Sequence, residues 1–274
     1  MVLDNFMSAE NKKKRIFFVL DLEQDYGRIE SYLAFKNIDG LIDLFKKYNL
    51  KLTVFVTGKI IQQKPEIIEK IDENIDCEFH LHSYRHEINK KLTPEEREAD
   101  FKKAVEAYRK YFGKSPTGWR SPCGNITQEE IGWLKKEGFL FSSSFIPTYR
   151  PGLFNNLRQS DKPFFYPNGL LEIPLTSLPL IKMPFSLSYF QLLGWPISNF
   201  LIKNKKSPCH IIFNFHLHNL SKLDNIKQLK IRFRLGYLKN QNDGFKILEK
   251  FIKTVMRSGY QSKTIIELAK ETLN

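Results

Sequence analysis

Two histidines four residues apart, His82 and His86, are the strongest chemical signal in the sequence. They close the stretch His80-Leu81-His82-Ser83-Tyr84-Arg85-His86, which holds three of the six histidines in the chain. On a helical turn both rings would face the same way. Two imidazoles at that spacing can close on one metal ion, with a third ligand from elsewhere. Asp21-Leu22-Glu23-Gln24-Asp25 offers it: in an extended chain its three acids point to one side. One carboxylate with two histidines suits zinc or a similar divalent metal and leaves a position open for water. Around such an ion, a spare carboxylate can act as general base and a spare histidine as general acid. An arginine can hold the base ionised and aimed. Arg120, and His216 with His218, supply these types.

These residues sit at the ends of apolar runs. Ile16 to Leu20 reads as a buried parallel strand that stops at Asp21. Leu52 to Val56 is a second strand, and Asp76 to Leu81 a third that delivers the histidines. Thr117 to Arg120, Phe139 to Phe141 and Leu170 to Ile173 are shorter strands. His210 to Phe215 runs into His216. Between them lie helical stretches: Ile38 to Tyr48, Lys59 to Ile71 with Pro65 inside it, Thr93 to about Tyr111, Ile131 to Glu137, Phe245 to Ser258, and a terminal helix. Capping boxes at Thr93-Pro94-Glu95-Glu96 and Thr264-Ile265-Ile266-Glu267 mark two of their starts. Leu175 to Ile202 is apolar but broken by Pro179, Pro184, Gly194 and Pro196, and reads as an irregular excursion over the core. Strand-end chemistry on alternating strands and helices points to a single α/β domain over 1–274, its core at about 14–270.

The 274 residues fit one barrel domain, and 42% hydrophobic residues with 23 Phe give it an aromatic core. The net charge is +13. Clusters lie at Lys12-Lys13-Lys14-Arg15 and Lys203-Asn204-Lys205-Lys206. No basic helix interleaved with stacking aromatics marks a nucleic-acid binder. The basic, apolar segment from Leu175 to Lys206 suits peripheral contact with a membrane or a lipid-linked sugar. Cys77, Cys123 and Cys209 do not form a disulfide framework. The N-terminus does not read as a signal peptide, so the cytoplasm is the expected compartment.

In their order, these motifs resemble the polysaccharide deacetylases, carbohydrate esterases of the NodB-homology type. Asp21-Leu22-Glu23 resembles the first motif of that family. His82-Ser83-Tyr84-Arg85-His86 matches its His-Ser/Thr-x-x-His motif, Arg120-Ser121-Pro122 its Arg-x-Pro motif, and Phe215-His216 its final histidine. The resemblance spans roughly residues 14–270. It implies a distorted (β/α) barrel with about seven strands, and a divalent metal, usually zinc. It also implies hydrolysis of an acetamide on an N-acetylated sugar. By the same resemblance His82 and His86 bind the metal with Glu23 or Asp25, and Asp21 is the base. Arg120 pairs with Asp21, and His216 is the acid. Two acids usual in the family are missing: Ser142 stands before Ser143-Ser144, and Asn219 follows the last histidines, where His218 could share the acid role.

Overall fold

The computed structural model describes residues 13–152, 154–159, 161–177, 182–203, 208–231, 234, 237 and 241–274. In order, the chain forms β1 (Arg15–Leu22), α1 (Ile38–Lys47), β2 (Leu52–Val56), α2 (Gly58–Gln63), α3 (Pro65–Asp72) and β3 (Cys77–Leu81). Next come α4 (Pro94–Phe112), β4 (Gly118–Trp119), α5 (Gln128–Lys136), β5 (Phe141–Ser142), β6 (Tyr149–Arg150) and β7 (Phe154–Asn155). The last third holds β8 (Phe164–Phe165), β9 (Leu171–Glu172), α6 (Leu187–Leu193), α7 (Trp195–Lys203), β10 (His210–His216), α8 (Gly244–Arg257), β11 (Gln261–Ser262) and α9 (Ile265–Leu273).

The main sheet runs β10-β1-β2-β3-β4-β5-β9-β8, with β11 added at the start of β1. Seven of the strands on this path are parallel, and β8 is antiparallel to β9. The sheet curls into the distorted barrel that the resemblance implies, with eight strands on this path rather than about seven. The gap between β9 and β10 is covered by an irregular segment. The Asn214 N–H donates to the Phe185 carbonyl, Phe185 N–H to Thr176, and Ile212 N–H to the Thr176 hydroxyl.

Alternation along β1 explains both cores. Phe17 and Val19 point into the barrel with Phe55, Phe141, Leu171, Ile173 and Ile212, and Ile265, Leu268 and Ala269 of α9 pack against the same cluster. Phe18 and Leu20 point outward with Phe45, Phe213 and Phe251, under the helices. Burying each such large side chain contributes roughly 1.5–3 kcal/mol. The same alternation carries Asp21 onto the inward face above Val19.

Two local readings change and a third is decided. Pro65, which could either break a helix or start a second piece, opens a second helix, where its missing N–H is not needed. The excursion expected over 175–202 contains α6 and α7, separated at Gly194 with φ +83°. Pro196 is tolerated because it lies in the first turn of α7. The His82–His86 stretch is a loop with left-handed backbone at Ser83 and His86, not a helical turn. Of the two basic clusters, Lys12 and residues 204–206 lie outside the described residues. No helix of the described residues is long and apolar enough to cross a membrane.

Phe213 and Phe251 stack at 4.1 Å between ring centroids, locking α8 onto β10. Phe251→Ala should therefore lower unfolding free energy by about 3–5 kcal/mol, read as a shift in the urea midpoint.

Candidate active site

Beyond β1 the chain turns sharply, with positive φ at Tyr26 and Gly27. This turn separates the three acids that an extended strand would align. Glu23 stays at the mouth of the barrel. Asp25 is turned away into a polar nest and is fully buried. It accepts hydrogen bonds from Leu33 N–H at 2.9 Å, Ala34 N–H at 3.0 Å, Asn225 Nδ2 at 2.6 Å and the Ser31 hydroxyl. Both of its oxygens are consumed. The structure thus brings Glu23, and not Asp25, to the histidines.

Glu23, His82 and His86 are all buried, and one donor atom from each lies within 4.8 Å of the others. Each ring is fixed from behind. His82 Nδ1 faces the Arg120 carbonyl at 2.8 Å, and His86 Nδ1 faces the Gly27 carbonyl at 3.0 Å. A carbonyl can only accept, so both Nδ1 atoms carry hydrogen and both Nε2 atoms are left to face inward. Glu23 Oε2 lies 2.5 Å from His86 Nε2 and 3.5 Å from His82 Nε2, yet this buried oxygen accepts no well-aligned hydrogen bond. Three acceptors facing one point in a buried site call for a cation, and this donor set suits a divalent metal of the zinc type. Without a metal, a proton can serve. Burial alone would lower the His86 pKa, but the Glu23 carboxylate raises it to about 9. Burial alone would raise Glu23, yet His86, His216 and His82 hold it well below the usual carboxylate range.

The loop that presents the histidines is tied down. Asp100 on α4 accepts from the Tyr84 and Arg85 N–H groups, and the Ser83 hydroxyl accepts from His86 N–H. His80 lies one layer deeper on the same inward face and does not join the cluster. Its Nε2 is 3.2 Å from Glu78, and its ring packs on Phe55 and Phe141.

Beside the cluster, Arg120 Nη1 meets Asp21 Oδ1 at 2.9 Å. The second Asp21 oxygen accepts from Asn214 Nδ2 at 2.9 Å. Burial would raise the Asp21 pKa, but Arg120, then His82 and His216, hold it below its ordinary value. Asp21 is thereby kept ionised although it is buried. His216 Nε2 lies 3.6 Å from Asp21 and 3.5 Å from Glu23.

On the far edge of that ring, Nδ1 and the His216 backbone N–H both face Asn219 Oδ1, at 3.3 and 3.0 Å. An amide oxygen fixes the ring and directs Nε2 to the site, without a carboxylate's negative charge. His218 stacks on His216 at 4.7 Å and is buried, so it is not a solvated loop residue. Its Nδ1 accepts from Tyr26 N–H, and burial, then His216, pushes its pKa well down. At Ser142, the β5–β9 register brings Glu172 opposite. Glu172 accepts from Ser144 N–H, Phe145 N–H and the Tyr166 hydroxyl, and its contacts brace the turn after β5.

Sequence reasoning missed Asn214 and Gly27. Asn214 had a signal, since it lies two residues before His216 and so on the same strand face. Gly27 had none.

A curled parallel sheet with a carboxylate, two histidines, an Arg–Asp pair and a further histidine at its strand ends is the arrangement that the resemblance implies. The family model described as polysaccharide deacetylase matches residues 25–141. A peptidoglycan deacetylase of Helicobacter pylori is 35% identical over 114 residues, which are 40% of this chain and 37% of that relative. The chain spans less than half the length of the curated relatives it matches. A crystal structure described as a polysaccharide deacetylase of Mycobacterium smegmatis superposes with TM-score 0.66 at 16% identity, covering 97% of this chain and 92% of that one. A family 4 carbohydrate esterase pseudoenzyme of Bacillus anthracis superposes with TM-score 0.57 at 14% identity, covering 94% and 66%. At such identities these structures speak for the fold alone.

Two substitutions separate the turn's tasks. Asp25→Ala strands several buried donors and should cost about 3 kcal/mol or more in chemical denaturation. A methyl group at Gly27 would sit 2.7 Å from His86 Cε1 and 2.8 Å from Glu23 Oε1, on backbone with φ +63°. Gly27→Ala should weaken divalent-metal binding by about tenfold or more, measured by titration with zinc against a competing chelator.

Proposed function

We propose that the protein is a metal-dependent N-deacetylase that hydrolyses the acetamide of an N-acetylated sugar in a glycan, releasing acetate. One observation carries this reading. Asp21, held ionised by Arg120 and hydrogen-bonded by Asn214, stands beside the Glu23–His82–His86 cluster with His216 Nε2 3.6 Å away.

Glu23, His82 and His86 would hold the divalent ion, most naturally zinc. Such an ion, when bound, acidifies water and polarises a carbonyl oxygen. Asp21 takes the proton of the water that adds to the acetamide carbon. Arg120 and Asn214 keep the Asp21 carboxylate aimed while it does so. In the turn after Pro122, the Gly124 and Asn125 N–H groups bond to Ser121 and Pro122 carbonyls. That leaves the Cys123 N–H to receive the developing oxyanion. His216, oriented by Asn219, gives its Nε2 proton to the sugar nitrogen as the C–N bond breaks. Acetate and a free amine result. The peptidoglycan deacetylase relative favours N-acetylhexosamine strands as the first substrates to try.

A second reading has one specific support. Asn219 gives His216 a neutral partner, and the pseudoenzyme shows that this barrel also occurs without turnover. Under that reading the protein binds metal and glycan but releases nothing. A third reading, hydrolysis of a non-sugar amide, uses the same site.

Acetate release from chitooligosaccharides and from peptidoglycan strands separates the three. Metal removal by a chelator should abolish release and zinc should restore it. Asp21→Asn should reduce the rate by ~10²–10⁴-fold. Metal bound without acetate from any glycan would favour the second reading, and turnover of small amides alone the third.

Metal loading should also be proton-linked. His86 has a raised folded-state pKa, so its protonated pairing with Glu23 is fully present below its ordinary pKa and lost as pH rises through about 9. A metal must displace that proton. Zinc added at pH 7 should release about one proton from His86, and apparent affinity should climb toward pH 9, read by calorimetry in buffers of different ionisation enthalpy.

A further inference from the structure

A groove of about 770 Å³ opens beside the metal-type cluster, with His86 and Gly27 in its wall. Its charge is one-sided. Arg28, Lys91, Arg150 and Lys230 line it, against a single carboxylate among the described residues, Glu87. Arg150 donates to the Cys123 carbonyl, a neutral acceptor. Lys91 and Lys230 are exposed, and neither pairs with a carboxylate among the described residues. Two tyrosines, Tyr149 and Tyr189, share the walls, and Tyr149 is 54% exposed. An exposed aromatic ring with a wet rim suits the apolar face of a sugar.

Resting on the deacetylase reading, we propose that this groove selects glycans bearing an anionic substituent, a carboxylate or a phosphate, near the N-acetyl group to be cleaved. Cations that outnumber carboxylates in a cleft focus a positive potential and draw anionic ligands into it. A chain built for neutral N-acetylated oligomers would gain nothing from keeping several like charges in one groove. The tyrosines hold the sugar rings, and the cations set which ring is placed beside His86.

Binding can be read apart from turnover with the metal-loaded Asp21→Asn protein. The probes are chitotetraose, which is neutral, a hyaluronan tetrasaccharide, which carries carboxylates, and UDP-N-acetylglucosamine, which carries phosphates. At low ionic strength at least one anionic probe should bind about tenfold or more tighter than chitotetraose, with the advantage shrinking as salt is added. The stronger of the two identifies the anion. In the Lys91→Ala/Lys230→Ala protein the ratio of anionic to neutral affinity should fall toward about one. Equal affinity for all three probes, or a preference that survives the double substitution, overturns the proposal. Acetate release by the unsubstituted protein is scored separately. Anion preference without acetate from any probe sustains the groove and defeats the deacetylase reading, and acetate without preference does the reverse.

Discussion

A single buried arginine ties the site's parts to one another. Arg120 reaches Asp21 with Nη1, the Ser143 carbonyl with Nε and the Ser143 hydroxyl with Nη2. Its carbonyl receives His82 Nδ1, and its N–H donates to Leu81. Its guanidinium lies over the Phe55 ring, 4.3 Å from the centroid. Thus β1, β2 and the turn after β5 meet on its side chain, and β3 with the histidine loop meets its backbone. Burying that charge is costly, and losing one partner of such a pair costs about 3–5 kcal/mol. What the cost secures is geometry: the base is ionised, and one metal-type histidine is locked in one tautomer by the same residue.

The site divides along the chain. Glu23, His82 and His86 belong to its first third, whereas Asn214, His216 and Asn219 arrive with β10 and the turn after it. The family match covers residues 25–141 and includes neither Asp21 nor His216. Of the two missing acids, one falls at the end of β5 and the other after β10, and the structure answers them differently. Glu172 fills the space opposite Ser142 with a carboxylate that braces backbone. Asn219 keeps the hydrogen bond to His216 but not the charge.

Much of this was legible before any coordinates. Strand ends could be placed because apolar runs stop abruptly at polar residues, and period-two alternation puts Asp21 over Val19 and His82 over His80. The histidine spacing pointed to one metal, although the helical geometry that suggested it is absent, and Ser83 and His86 reach the same result through left-handed backbone. The choice between Glu23 and Asp25 was not legible. It depends on the sharp turn at Tyr26 and Gly27, and on Asn225, which lies far along the chain. Helices α6 and α7 were hidden because Gly194 and Pro196 read as breakers, whereas Gly194 is the joint between the two helices and Pro196 lies in the first turn of α7.

The β1 strand is buried along almost its whole length, and its longest pairing is with β10, seven residues in parallel register. During synthesis β2 can zip onto one side of β1 early. The other side must wait until residues 210–216 have been made. For that interval Ile16 to Leu20 presents a bare ladder of peptide groups flanked by phenylalanines, the kind of edge that recruits strands from other chains. The long-range closure that completes the chemistry also makes the newborn chain vulnerable, and slow. A cell making this protein must shelter the unfinished barrel, most of all while its first strand has only one neighbour.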